Sequence, residues 1–347
     1  MDLDKLKARS QIVKLMRRWF DERGFLEMHT PRLVGLPGQE PYLEPFWTTL
    51  EIPASSFQLP ASLPASLPAA LITSPEYMLK RLLAAGLDKL YDLGPCFRNN
   101  EPWDGTHDPE FLLLEWYRRE AGVEDLMRDT EEMMRWVAGE IPNSKFQIPT
   151  SPFRRLTVED AWREYTGIEL APLLEDRAAT SLASDRGAAM ARTVAERGQT
   201  VGENDTWDDL FFKIFLSEIE PKLGQDEPTF LYRYPKSMAA LARESADDSR
   251  WADRVELYAG GLELANGFAE LCDENEQRAR FIQEKTLRDS LGKKVWGLDE
   301  RFLKALPKMG NAAGIAFGVE RFIMLLTGVE SINEILPASA RERFGGQ

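Results

Sequence analysis

Apolar residues recur at helical spacing near the start of the chain. Ile12, Leu15, Met16, Trp19 and Phe20 follow the i, i+3, i+4, i+7, i+8 rule and predict an amphipathic helix over 4–22. Gly24 ends it, and Thr30-Pro31 opens an extended stretch towards Phe46. Between 53 and 70 the pattern gives way to an imperfect Ala-Ser-Leu-Pro repeat. That stretch is too rich in proline for a helix or a central strand, and predicts a surface loop. Regular patterning returns with Ser74 as N-cap, Pro75 at the first helical position, Glu76 in the first turn and Gly86 as the stop.

Strand-like runs follow at 89–93 and 111–117, joined by a polar loop from Asn99 to Pro109. Segments 123–138 and 206–220 read as helices, and 229–234, 253–259 and 261–266 as strands. A helix over 273–290 starts with a capping box, Asp273 with Glu276, and Gly314–Val319 then reads as a strand before a helix over Glu320–Thr327. Hairpin-joined strands with helices between them predict an α+β fold, an antiparallel sheet flanked by helices, as one domain over 1–347. The GxGxxG and GxxxxGK[ST] phosphate loops are absent.

Composition narrows the class. Hydrophobic residues make up 43% and charged residues 29%, a globular balance. No run of about eighteen apolar residues occurs, so no membrane span is expected. Met1-Asp2-Leu3-Asp4-Lys5 lacks the basic-then-apolar order of a signal peptide. Two cysteines, Cys96 and Cys272, suit a reducing cytoplasm. A formal charge of -14 argues against a broad nucleic-acid surface, because phosphate contacts need clustered Lys and Arg.

Four constellations could carry chemistry. Phe97-Arg98-Asn99 leads through His107-Asp108-Pro109-Glu110-Phe111 to Glu115 and Tyr117. Strand alternation puts Phe111, Glu115 and Tyr117 on one face, opposite a core face of Leu112, Leu114 and Trp116. By itself that describes an amphipathic strand whose carboxylate and phenol face solvent. Next, a two-residue turn at Ala259-Gly260 would set Glu256 directly opposite Glu263, with Cβ atoms about 5 Å apart. Such carboxylates repel unless a cation such as Mg²⁺ sits between them. A turn at Gly260-Gly261 would slip the pairing. Asn266, Phe268 and Glu270 share parity with one another but not with Glu263. A common pocket therefore needs a bulge, for which Gly267 is the candidate. Finally, Gly314-Ile315-Ala316-Phe317-Gly318 precedes a helix beginning Glu320-Arg321, a setting that favours phosphate.

In this order and wording the motifs resemble class II aminoacyl-tRNA synthetases of the lysyl, aspartyl and asparaginyl group. Thr30-Pro31 looks like motif 1, Phe97–Tyr117 like motif 2 and Gly314–Leu325 like motif 3. Thr73-Ser74-Pro75-Glu76-Tyr77 and Asn266-Gly267-Phe268-Ala269-Glu270 resemble the lysyl members. The resemblance runs from about residue 4 to residue 340. Because the first helix begins almost at Met1, no room is expected for the anticodon-binding OB domain of lysyl-tRNA synthetases. In this the chain is similar to the elongation factor P lysine ligases (the GenX/PoxA group), which attach a lysine-type amino acid, preferably (R)-β-lysine, to a lysine of elongation factor P. Ala316 resembles those ligases too, since lysyl-tRNA synthetases usually have glycine there.

The resemblance implies a site. Arg98 would grip the α-phosphate and the substrate carboxylate, and Arg321 would face the γ-phosphate. His107 and Phe111 would hold ATP, with Asn100 and Glu101 beside them. Glu256 and Glu263 would bind Mg²⁺. Glu76, Glu115, Tyr117, Asn266, Phe268, Glu270 and Ala316 would line the amino-acid pocket, Glu270 and Tyr117 taking the ε-ammonium. Two features depart from the family pattern. The Arg98–His107 interval is one residue longer, reading Arg98-Asn99-Asn100-Glu101, and Asp104-Gly105-Thr106 stands where an arginine is common. The implied activity is ATP-dependent activation of lysine or β-lysine and its transfer to elongation factor P. The alternatives are a ligase with another acceptor, or a regulator that binds lysine or ATP without turnover. A homodimer built on motif 1 is expected, with the apolar stripe of helix 4–22 against the partner, and tRNA is not an expected substrate.

Overall fold

The computed structural model describes residues 2–53, 64–174 and 185–345. In chain order the elements are α1 (Leu3–Glu22), β1 (Leu26–Glu27), β2 (Leu33–Val34), β3 (Trp47–Glu51), β4 (Ser66–Leu71), α2 (Glu76–Ala84), β5 (Lys89–Phe97) and β6 (Glu110–Arg119). There follow α3 (Val123–Gly139), β7 (Arg154–Thr157), α4 (Val158–Thr166), α5 (Asp185–Glu196), α6 (Trp207–Ile214), β8 (Thr229–Pro235), β9 (Trp251–Ala259) and β10 (Leu262–Ala269). Last come α7 (Glu274–Ser290), α8 (Glu300–Leu303), β11 (Ala312–Gly318), α9 (Val319–Thr327) and α10 (Ala340–Phe344). The α+β class is as expected. These residues fall into two compact units, Met1–Tyr117 with Cys272–Gly310 and Gly318–Gln347, and Arg118–Leu271 with Asn311–Phe317.

In the first unit, Asp2 caps α1 by accepting from the N–H groups of Asp4 and Lys5, and Gly24 (φ +74°) takes the left-handed turn that ends it. Of the expected stripe, Ile12, Met16, Trp19 and Phe20 are fully buried, with Val13 beside them, and Leu15 is half-buried. Phe20 lies 4.8 Å from Tyr91 and 5.2 Å from Trp116, ring centre to ring centre. That corrects the expectation that the α1 stripe waits for a partner subunit. The strands form β1-β5-β6 and a separate set ordered β2-β4-β3.

The small sheet brings a second correction. Residues 54–63 of the proline-rich stretch lie outside the described residues, but Ser66–Leu71 is the middle strand of three, not loop. Pro68 is tolerated because β2 pairs only with Leu71 and Ala70, so the missing N–H falls where β4 has one neighbour, Thr49 on β3.

The second unit carries β11-β10-β9-β8-β7, antiparallel from β8 to β11, with β7 joined to β8 in parallel. Its core packs Trp162, Trp207, Phe211 and Trp251 with Leu210 and Ile214. The helix expected over 206–220 is α6 followed by a π turn, Phe215–Ile219. The short β7, α4 and α5 lack a long enough periodic pattern to be read from sequence.

Candidate active site

In the first unit β6 is buried on both faces, so the expected solvent-facing carboxylate is overturned. Glu115 is 2% exposed and Tyr117 3%. Ser74 Oγ donates to Glu115 Oε1 at 2.6 Å, and the Tyr117 hydroxyl donates to Oε2 at 3.2 Å. Burial, with the nearby Glu76 charge, pushes the Glu115 carboxyl up to about 8 in spite of those two donors. At neutral pH it is largely protonated. Ser74 serves two purposes, because its Oγ also accepts from the Glu76 N–H at the start of α2. Glu76 is itself buried and paired with Lys80 one turn on. Ser74 and Glu76 line a cavity of about 570 Å³ together with Glu40, Tyr77 and Arg81. Burial and Glu76 raise the carboxyl of Glu40 as well.

Arg98 directly follows β5, its guanidinium 5.0 Å over the ring of Phe111, and its Nε has no hydrogen-bond partner among the described residues. Asn100, two residues on, is exposed and adopts φ +62°, a left-handed conformation that asparagine tolerates. Glu101 follows, half-buried. His107 lies between Asp104, 3.0 Å from Nδ1, and Arg321, whose Nη2 is 2.8 Å from Nε2. Burial works against ionisation of Asp104, yet the Thr106 N–H, His107 and the Thr106 hydroxyl together hold its carboxyl at about 2. Arg321 opens α9 beside Glu320, which accepts from Arg9 and from the Leu112 N–H. Arg98, His107, Phe111 and Arg321 therefore belong to one unit, with Glu76, Glu115 and Tyr117.

The second unit holds the rest. Gly260 and Gly261 form the β9–β10 turn, with φ +60° and +73°, and Leu262 pairs with Ala259. The direct Glu256–Glu263 pairing expected from the Ala259-Gly260 turn is thereby overturned: Glu263 faces Tyr258, and Glu256 faces Asn266. The two carboxylates still share a face, because the register shifts between Glu263 and Ala265 and Leu264 is the additional residue. The bulge is therefore at Leu264 and not at Gly267, which keeps regular register. A Cβ on Gly267 would lie 2.8 Å from the Ile315 Cβ and 3.0 Å from the Gly314 carbonyl oxygen, so glycine is needed there for close strand packing.

Across three strands Glu256, Asn266 and Ala316 stand side by side, with Phe268 between Arg254 and Gly314. The Oδ1 of Asn266 is buried without a hydrogen-bond partner among the described residues. Glu270 follows at the strand end, 1% exposed, its N–H bonded to the Ala312 carbonyl at 2.9 Å. Glu256 meets no bare repulsion from Glu263: it accepts from Arg254, from Tyr234 and, at 2.7 Å, from Tyr258. Sequence reading missed these partners. Arg254 and Tyr258 could have been found two residues either side of Glu256 on the same face, whereas nothing local marks Tyr234.

The whole chain also has relatives. Residues 3–339 match the family model described as tRNA synthetases class II (D, K and N). The chain belongs to this family. Within it the chain is similar to proteins named elongation factor P–(R)-β-lysine ligase. The one from Avibacterium paragallinarum is 35% identical over 339 residues, covering 97% of this chain and 95% of the relative. That of Proteus mirabilis (strain HI4320) is 36% identical over 332 residues, or 95% and 93%. That of Haemophilus influenzae (strain PittGG) is 33% identical over 336 residues, or 96% and 94%. As a class II synthetase, the chain keeps an arginine at both positions that motifs 2 and 3 lead one to expect, Arg98 and Arg321.

Proposed function

We propose that this class II synthetase uses ATP to activate a lysine-type amino acid, (R)-β-lysine by preference, as an aminoacyl-adenylate and passes it to a lysine of elongation factor P. The observation that carries the reading is Glu115: a buried carboxyl beside Glu76 that accepts from two uncharged hydroxyls, Ser74 and Tyr117, and stays protonated at neutral pH. An arriving ammonium supplies the missing charge. The names of the full-length relatives support the acceptor and the β-isomer. Ala316 beside Asn266 would crowd the α-carbon side of the pocket, and Phe268, Asn266 and Glu270 would line it.

The first step needs placement and charge more than proton transfer. The amino-acid carboxylate attacks the α-phosphorus in line, forming the acyl-phosphate bond as pyrophosphate leaves, and Arg98 stabilises the charge on the α-phosphoryl oxygens. Phe111 would stack on adenine, with Asn100 and Glu101 beside the nucleotide, while His107 and Arg321 take the terminal phosphates. The acceptor's lysine amine then attacks the activated carbonyl and releases AMP. Two carboxylates on one face, Glu256 and Glu263, fit Mg²⁺, which commonly takes one or two carboxylates and completes its shell from phosphate and water. Bound there, Mg²⁺ would neutralise developing charge on the pyrophosphate.

No helix among the described residues is long and apolar enough to cross a membrane, and a cytoplasmic setting is part of the proposal. The test is ATP–pyrophosphate exchange with lysine, β-lysine, aspartate and asparagine, followed by mass spectrometry of elongation factor P. Exchange with β-lysine and a one-residue mass gain on the factor are expected. Exchange driven by aspartate, or by no amino acid, would refute the reading.

A further inference from the structure

The loop after Arg98 contains an arrangement that the reading above leaves unused. The Thr106 N–H donates to Asp104 Oδ1 at 2.8 Å and the Thr106 hydroxyl does so at 3.0 Å. The two Asp104 oxygens lie 3.1 and 3.0 Å from Nδ1 of His107. The opposite ring nitrogen, Nε2, is 2.8 Å from Nη2 of Arg321. A guanidinium can only donate. Nε2 must therefore accept, which leaves the proton on Nδ1 with Asp104 as its acceptor. The Thr106 Oγ1 is also 3.0 Å from Nδ1, and with its hydrogen given to Asp104 it too can only accept there. The loop is anchored from behind, because the Ile332 N–H donates to the Gly105 carbonyl at 2.8 Å. Gly105 has φ +98°, and a Cβ there would come within 3.0 Å of Ser331 Oγ. The ring thus has a fixed position and a fixed acceptor.

We propose that Asp104 is a positioning residue: by holding His107 as its Nδ1–H tautomer, it makes Nε2 the acceptor that seats the Arg321 guanidinium before nucleotide binds. The opposite tautomer would turn an N–H towards Arg321, donor against donor. The consequence for catalysis rests on the reading of Arg321 as a phosphate-binding residue, but the tautomer does not. Asp104 itself touches no reacting atom.

The chain has two histidines, His29 and His107, so ¹⁵N-histidine NMR can assign the tautomer directly. Wild type and Asp104→Asn, whose amide oxygen accepts the same proton, are expected to carry Nδ1–H. Asp104→Ser can still close the turn to Thr106 but is too short to reach the ring. It should shift His107 towards Nε2–H and raise KM for ATP about tenfold, with a much smaller effect on kcat and none on Tm. Thr106→Val should resemble wild type. A wild-type His107 protonated at Nε2, an Asp104→Ser variant with unchanged tautomer and KM, or the whole loss appearing in Thr106→Val instead would each overturn the proposal. If wild type shows no exchange at all, the functional reading fails, while the spectrum of the free protein still decides the tautomer.

Discussion

Glu115 shows what burial does to one side chain. A carboxyl held at about 8 in the folded protein keeps a proton that the unfolded chain has lost above its ordinary value. Its contribution is therefore fully present below about pH 4.5 and disappears as pH rises towards 8. Glu284, raised to about 8 by burial and by Glu40, acts in the same direction. Thermal melts should show stability falling between pH 5 and 8, and Glu115→Gln should flatten that decline. An equal slope in the variant would remove Glu115 from the account. Ala316 makes the second residue-scale case. One methyl is worth about 1 kcal/mol, so Ala316→Gly should shift the kcat/KM ratio about tenfold towards α-lysine over β-lysine in pyrophosphate exchange. An unaltered ratio would mean that this methyl does not select the isomer. At this scale motif wording picked out His107 and Arg321, which the structure brings into contact, and Arg98, which lies over Phe111. Environment was not legible: nothing in Leu114-Glu115-Trp116 says that both strand faces are covered.

At the scale of elements, the β9–β10 hairpin decides which carboxylate is structural. Glu256 is 6% exposed and answers Arg254, Tyr234 and Tyr258, whereas Glu263 is half-buried. Glu256→Gln removes the nearest counter-charge of the half-buried Arg254 guanidinium and should cost about 2 kcal/mol in chemical denaturation. Glu263→Gln should cost less stability than Glu256→Gln while, on the proposed function, still raising the Mg²⁺ needed for adenylate formation. Equal stability losses in the two would contradict this division. The strands and helices with long periodic patterns were legible to within a few residues. The register was not, because period-two alternation fixes a face only until a bulge adds a residue, and Leu264 looks like any other apolar strand residue. Proline misled for a related reason. It excludes a strand position only where a neighbour needs its N–H, and the shortness of β2 cannot be seen from Pro68.

For the molecule as a whole, the acidic charge of -14 and the family membership are compatible with a partner chosen for shape more than for phosphate. The first unit exposes Leu26, Leu33, Leu36 and Leu50, at 50%, 42%, 37% and 45%. With most of the α1 stripe already buried, these residues are among the exposed apolar side chains available to the expected homodimer. Light scattering at micromolar concentration should give twice the chain mass, and Leu33→Lys with Leu50→Lys should halve it without lowering helix content. A monomeric wild type would refute the assembly. The bulge at Leu264 has one last implication, for how this chain can diverge. Asn266, Phe268 and Glu270 face the side of Glu256 and Glu263 only because the strand after the Gly260-Gly261 turn is one residue over count. Inserting or deleting a single codon there would turn three side chains to the opposite face at a stroke. Lineages descending from this sequence can therefore exchange letters in that strand, but, on the proposed function, a gap in it would mark the loss of the activity.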